Sequence, residues 1–377
     1  MSRIFSSISC NLDTNILLAA LPLFEAEKVE AIEWSFDTLY KTPELPLWFT
    51  DLLKAFSQEN RLIGHGVYFS LFSGRWFPEQ QNWLHQLEKL SSTFSFDHIS
   101  EHFGFMTGED FHKGAPIGIP FTKKTLAIGQ DRLRRIYDAC NCPVGLENLA
   151  FSYSLDEVKK HGAFLDQLVD AVNGFIILDL HNIYCQLHNF DIAINDLLDI
   201  YPMHRVREIH VSGGSWEDSH ISPGRKIRRD THDDAVPEEV FHLLEYAISK
   251  CPHLKYVVLE QLGTALDTPE SRDGFQQDFR RLDAIVHQEN KKHPEKHIPS
   301  FLPITPFPLN PPKEDPLLYA QQLALSDVLH TATTYEQARQ LLSSSPLANT
   351  EWEVEKWDAC MLETAIAIAR KWKNGFY

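Results

Sequence analysis

The sequence predicts an α/β fold, a (β/α)8 TIM barrel, with a helical extension at its C-terminal end. Three observations lead there. Eight short β-rich runs alternate with helix-compatible stretches through the first three quarters of the chain, and strands alternating with helices argue for parallel βαβ units. Eight such units over roughly 290 residues suit a closed barrel. No glycine-rich phosphate turn follows the first run, which disfavours a doubly wound open sheet.

The runs are residues 4–10, 29–36, 62–69, 96–105, 143–150, 174–182, 206–214 and 255–263. Between them lie amphipathic segments, among them ILLAALPLFEAEKV, WLHQLEKLSSTF, TLAIGQDRLRRIYDAC, HGAFLDQLVDAV and EEVFHLLEYAISKC. The barrel is assigned residues 1–300. Residues 301–316, FLPITPFPLNPPKEDP, are proline-rich and are expected to form an extended linker or strap. Residues 317–377 carry three further helical patterns, the last expected to start at a Thr350-x-x-Glu353 capping box. Packing on the outside of the barrel is the plain expectation for this appendage; binding a partner or substrate is the alternative.

Composition excludes several classes. The 377 residues carry a net charge of −17 with 43% hydrophobic residues, which reads as a soluble globular chain whose field repels phosphate backbones, so no nucleic acid partner is expected. No apolar run approaches the roughly 20 residues that span a bilayer. Residues 16–24 are apolar, but Asp13 and Asn15 precede them, so they read as a first helix rather than a signal peptide. The six cysteines, at 10, 140, 142, 185, 251 and 360, have neither CxxC nor zinc-ribbon spacing. They are read as reduced thiols of a cytoplasmic protein.

Barrel enzymes place their chemistry at the C-terminal ends of the strands. Here six consecutive runs end in His65, His102, Glu147, Asp179, His210 and Glu260. Strand alternation puts each in phase with interior positions: Ile63 with His65, His98 and Ser100 with His102, Gly145 with Glu147, Ile177 with Asp179, Glu208 with His210, Val258 with Glu260. Any one of them could be a structural histidine or a solvated loop carboxylate; the set would converge on one mouth. Like charges at short range cannot all stay ionised, and no Lys or Arg stands at these ends to compensate. Cations would, and His with carboxylate is the donor set of Zn, Fe, Mn or Co. The ligand count exceeds what one ion takes. In the loop after the seventh run, Asp230-Thr-His232 reads either as a helix cap or as two further ligands. In this company the ligand reading prevails, leaving Asp233 or Asp234 for the cap.

The ordered motifs H-G-V (65–67), S-E-H-F (100–103), L-E-N (146–148), L-D-L-H-N (178–182), E-I-H-V-S-G-G (208–214), D-T-H-D (230–233) and L-E-Q (259–261) resemble the multinuclear non-haem iron-dependent oxidative enzymes. This is the MbnB/TglH-like family of the methanobactin-biosynthesis oxidase, built on a xylose-isomerase-like barrel. The resemblance covers roughly residues 1–285. It implies two or three iron ions, mixed Fe(II)/Fe(III), and O2 as cosubstrate. It also implies a ribosomally synthesised precursor peptide as substrate, modified most often at cysteine, and a small peptide-recognition partner protein. Carried over motif by motif, Glu147 bridges two irons, one also held by His65 and His102, the other by Asp179, His210 and Glu260. Asp230, His232 and Asn182 hold a third. Glu147, Asp179 and His210 form the catalytic core of the set, and Ser100, Asn148 and Asn189 supply supporting hydrogen bonds. Strand phase favours His181 where the family's D-x-x-N pattern favours Asn182; Asn182 is preferred because the strand has ended by then. One departure stands out. The family usually carries an acidic-Asn pair shortly after the Glu of the second strand, whereas this chain reads Glu33-Trp-Ser-Phe-Asp37-Thr38. The alternatives are a metal-dependent sugar isomerase or epimerase, a phosphodiesterase on the same barrel, or a binding subunit with structural metals.

Overall fold

The computed structural model describes residues 3–40, 42, 44–108, 113–293 and 299–373. Among these residues, twelve strands run β1 (Phe5–Ser9), β2 (Ala31–Trp34), β3 (Leu62–Gly66), β4 (His98–Glu101), β5 (Phe105–Met106), β6 (Pro116–Ile117), β7 (Val144–Glu147), β8 (Phe175–Asp179), β9 (Val206–Ser212), β10 (Trp216–Asp218), β11 (Lys226–Arg228) and β12 (Tyr256–Glu260). Eight of them close a barrel in the order β1-β2-β3-β4-β7-β8-β9-β12, every neighbour parallel. These are the eight expected runs. The other four form two short hairpins, β5-β6 and β10-β11, in the loops after β4 and β9.

The helices are α1 (Thr14–Glu25), α2 (Leu47–Gln58), α3 (Pro78–Thr93), α4 (Lys123–Cys140), α5 (Leu155–Asp170), α6 (Leu180–Phe190), α7 (Ile194–Leu198), α8 (Glu238–Ala247), α9 (Pro269–Lys292), α10 (Pro316–Thr331), α11 (Tyr335–Ser343) and α12 (Ala359–Lys371). None is long and apolar enough among the described residues to cross a membrane. The six cysteines are free thiols.

Alternation divides each barrel strand between two environments. Ile8, Ile32, Leu62, Ile99, Leu146, Leu178, Ile209 and Leu259 belong to the large core shared with the helices. The opposite phase faces inward. Its lower layer mixes two apolar clusters, Ala31, Ile63, Tyr256 and Val258 and, separately, Phe175, Ile177 and Phe301, with the buried His98 and Glu208 beside them. Gly145 is required here, because a Cβ would lie 2.4 Å from the Phe175 ring. Above that layer the inward phase turns polar, with Glu33, His65, Ser100, Glu147, Asp179, His210 and Glu260 all buried.

The proline-rich segment is a strap. It starts at the bottom of the barrel, where Phe301 packs on Phe175 near the start of β8. It then climbs α4: Phe307 meets Tyr137, and the Asn310 and Lys313 carbonyls accept from Arg135 and Arg132. It reaches the top where Asp315 N–H donates to the Gly74 carbonyl. The appendage therefore sits on the loops around the mouth rather than on the outer helices. Gln322 bonds Gly74 N and the Phe72 carbonyl, Trp357 stacks on Tyr153 at 3.7 Å, and Glu363 accepts from Ser219 and His220 N. These contacts fall after β3, β7 and β10. The expected helix start at Thr350 is not formed: Glu353 adopts a left-handed φ of 48° and Asp358 caps α12 instead. Two buried indoles decide this, since Trp352 Nε1 donates to Gln321 and Trp357 Nε1 to the Trp352 carbonyl.

Candidate metal centre

The strand ends deliver their side chains to one chamber, and the hydrogen bonds behind them decide which atom each presents. Ser100 Oγ donates to the Gly64 carbonyl, so it accepts from His65 Nδ1 at 2.8 Å. His65 Nε2 is left bare, 3.3 Å from Glu147 Oε2. His102 Nδ1 donates to the Gly66 carbonyl at 2.9 Å, leaving its Nε2 3.4 Å from the same oxygen. Two lone pairs and a carboxylate oxygen thus point at one another, an arrangement that needs a proton or a cation between them.

The neighbouring positions repeat the pattern. Asp179 Oδ1 accepts from Asn182 N and caps α6, while Oδ2 is buried without a hydrogen bond. Asn148 clamps the Asp179 backbone on both sides, N at 2.7 Å and carbonyl at 3.2 Å. Asn182 spends its Nδ2 on Glu147 and the Asn148 carbonyl, so its buried Oδ1 is an acceptor with no donor. His210 turns Nε2 towards Glu33 and Glu208, both at 3.1 Å, and Nδ1 towards Glu260 at 3.0 Å. Among the described residues, four groups each bring potential ligand atoms within 4.8 Å of one another: His65, His102 and Glu147; Glu147, Asp179 and His210; Glu33, His210 and Glu260; Asp179, His232 and Glu260. Glu147 belongs to the first two of these groups.

The Asp230 loop divides differently from expectation. His232 closes with Asp179 and Glu260, while Asp230 accepts from both His181 Nδ1 and His232 Nε2 at 3.0 Å. His181 Nε2 meanwhile accepts from Arg228 Nε at 3.0 Å. Both His181 nitrogens are therefore committed, which favours Asn182 of the two candidates. Asn189 touches no candidate ligand; it pairs with Arg228 N and carbonyl, two residues before Asp230. Asp233 and Asp234 do not cap the next helix. Their carboxylates accept from Thr231 and Ala235 N, and α8 begins behind Pro237.

The charges follow from burial without compensation. Burial raises Glu33 to about 7; burial, then Asp230 and Glu147, keep Asp179 well above the carboxylate range. Burial would lower His65 and His210, but facing carboxylates prevail: Glu33 and Glu147 raise His65 to about 9, and Glu260 and Glu33 raise His210 well above its usual value. His102 goes the other way, depressed by burial and by His65. The chamber alone thus holds protons where cations would displace them. The bare nitrogens, the unbonded Asp179 Oδ2 and Asn182 Oδ1, and the His-carboxylate donors fit transition-metal ions.

Sequence reasoning missed three buried participants: Glu33, His98 and Glu208. All lie in the inward phase, which was the available signal. Asp37, in the departing motif, accepts from Val67 N, Tyr68 N and Trp83 Nε1, and so fixes the loop after His65.

Residues 46–270 match the family described as RiPP precursor modification enzyme MbnB/TglH/ChrH. The chain belongs to this family. Relatives include a UPF0276 protein of Acaryochloris marina, 28% identical over 58% of this chain and 76% of its own length. Another, from Pasteurella multocida, is 29% identical over 53% and 70%. A third, from Caulobacter vibrioides, is 27% identical over 49% and 64%. Among solved structures, an L-ribulose 3-epimerase matches with a TM-score of 0.46 at 12% identity, covering 79% of this chain and 100% of that one. The zinc-bound IolI protein matches with 0.45 at 14%, covering 76% and 99%.

Proposed function

We propose that this protein oxidatively modifies a ribosomally synthesised precursor peptide, at a cysteine, using O2 and two or three iron ions. The observation that carries this is the shared carboxylate of Glu147, which joins two adjoining donor groups in a chamber of unbonded lone pairs. Membership of the precursor-modification family supplies the substrate class. His65, His102 and Glu147 would hold one ion, and Glu147, Asp179, His210 and Glu260 a second. Asn182 and the Asp230-His232 pair would serve a third, with Asp230 also tethered by His181. Bound iron would supply redox chemistry and a place for O2 and thiolate.

The chain's own residues do the rest. Ser100 and Gly66 fix the imidazole tautomers, and Asn148 locks the backbone that aims Asp179. The mouth carries the most basic stretch of an acidic chain, Arg225-Lys-Ile-Arg228-Arg229. With His188 and Trp216 its first residues line an open pocket of about 510 Å³. Arg225 is already paired with Asp358, so the pocket suits an extended peptide that brings an acidic side chain to Lys226, either directly or beside a recognition partner.

Protein purified without oxygen should contain iron and consume O2 when a candidate precursor peptide with a cysteine is added. Full activity in protein containing only zinc would refute the oxidative reading and favour an isomerase or phosphodiesterase.

A further inference from the structure

Beneath the metal centre, a column of buried ionisable groups runs down the barrel axis. Asp97 Oδ2 lies 2.9 Å from His98 Nδ1, His98 Nε2 lies 2.5 Å from Glu208 Oε2, and Glu208 Oε1 lies 3.1 Å from His210 Nε2. His98, Glu208 and His210 are all fully buried. The lower end is anchored, because Arg207 and Lys255 both pair with Asp97. Burying so many polar groups is costly unless each is bonded, and a barrel interior is ordinarily filled with branched apolar side chains. Stability alone gives no reason for the column.

We propose that His98 and Glu208 are positioning residues that set which nitrogen His210 offers to the metal centre. Each Glu208 oxygen accepts one N–H, from His98 on one side and from His210 on the other. With the hydrogen held on Nε2, His210 must present the lone pair of Nδ1, and that atom is the one facing Glu260 without a hydrogen bond. Glu33, also on the Nε2 side, reinforces the same tautomer. Asp97 and its two cations keep His98 from turning away, so the register of the column is fixed from the floor of the barrel. Loss of a hydrogen-bond partner behind a metal-binding histidine typically costs on the order of 10- to 100-fold in affinity.

This inference rests on reading the chamber as a metal centre, yet its test needs no turnover. Co(II) alone is titrated into the metal-free full chain, with affinity from chelator competition and geometry from visible absorption. Glu208→Gln must place an amide NH2 against one of the two histidines; it should weaken the tightest Co(II) site at least tenfold and alter its spectrum. His98→Leu should do the same from one step further away, while His98→Gln, which keeps a donor for Glu208, should stay within about threefold of wild type. Thermal melts of the metal-free variants identify any that fail to fold; where Glu208→Gln does so, the His98→Leu and His98→Gln pair decides. Unchanged affinity and spectrum in Glu208→Gln, or equal losses in His98→Leu and His98→Gln, would overturn the proposal while leaving peptide oxidation untouched. A wild-type chain that takes up no Co(II) would overturn it together with the metal reading.

Discussion

Replacing Ser100 with alanine removes one oxygen and tests whether the imidazole of His65 is held ready for a metal ion. Ser100 is fully buried, and its hydroxyl joins His65 Nδ1 to the Gly64 carbonyl. Leaving a buried N–H unsatisfied costs about 1–3 kcal/mol, and a ring that gives up a proton to bind an ion escapes that cost by keeping its remaining hydrogen on Nε2. That is the atom aimed at Glu147 Oε2. Since about 1.4 kcal/mol is a factor of ten, the variant should bind the ion between His65, His102 and Glu147 roughly 5- to 150-fold more weakly. The ion associated with Asp179 and Glu260 should be little changed. Metal stoichiometry during stepwise chelation, with tryptophan fluorescence to confirm folding, reads this out. Simultaneous release of all ions at the wild-type chelator concentration would refute the reasoning.

Three further outcomes follow from other parts of the molecule. Burial depresses His161 to about 3, so the folded state holds it neutral while the unfolded chain protonates near 6.5. Its contribution is intact well above pH 6.5 and is lost as pH falls towards 3, by roughly 1.6 kcal/mol between pH 6.5 and 5, where the unfolded ring goes from half to almost fully protonated. His161→Gln should flatten that slope in urea denaturation of the metal-free protein, and identical slopes would contradict it. Trp357→Ala removes a buried ring stacked on Tyr153 and should cost about 3–5 kcal/mol; proteolysis should then reach the appendage before the barrel, and equal protection would argue against its seat on the mouth. Reversing Lys226 to Glu in the basic pocket should raise KM for an acidic precursor peptide several-fold with kcat unchanged, and an unchanged KM would remove that surface from substrate binding.

Much of the site was legible because its signals are local. The inward phase of a strand is set by counting residues, so His65, Glu147, Asp179, His210 and Glu260 could be placed on one face before any contact was known. The same count touched Glu208 and His98 but gave no reason to value them, because their meaning lies in a partner 110 residues away. Asn189 shows the converse: the resemblance implied support for a ligand, whereas it holds the Arg228 backbone. The misplaced start of α12 came from a capping pattern that two buried indoles overrode.

By itself, then, the sequence determined the barrel, its eight strands and the polar tier at their ends, consequences of hydrophobic period and strand phase. Tertiary structure alone decided which partner each histidine nitrogen meets, that His181 is consumed by Arg228 and Asp230, and that the C-terminal helices sit on the mouth. The physical reason is that hydrogen-bond directions and burial depend on atoms from distant strands, and only barrel closure brings those atoms within reach.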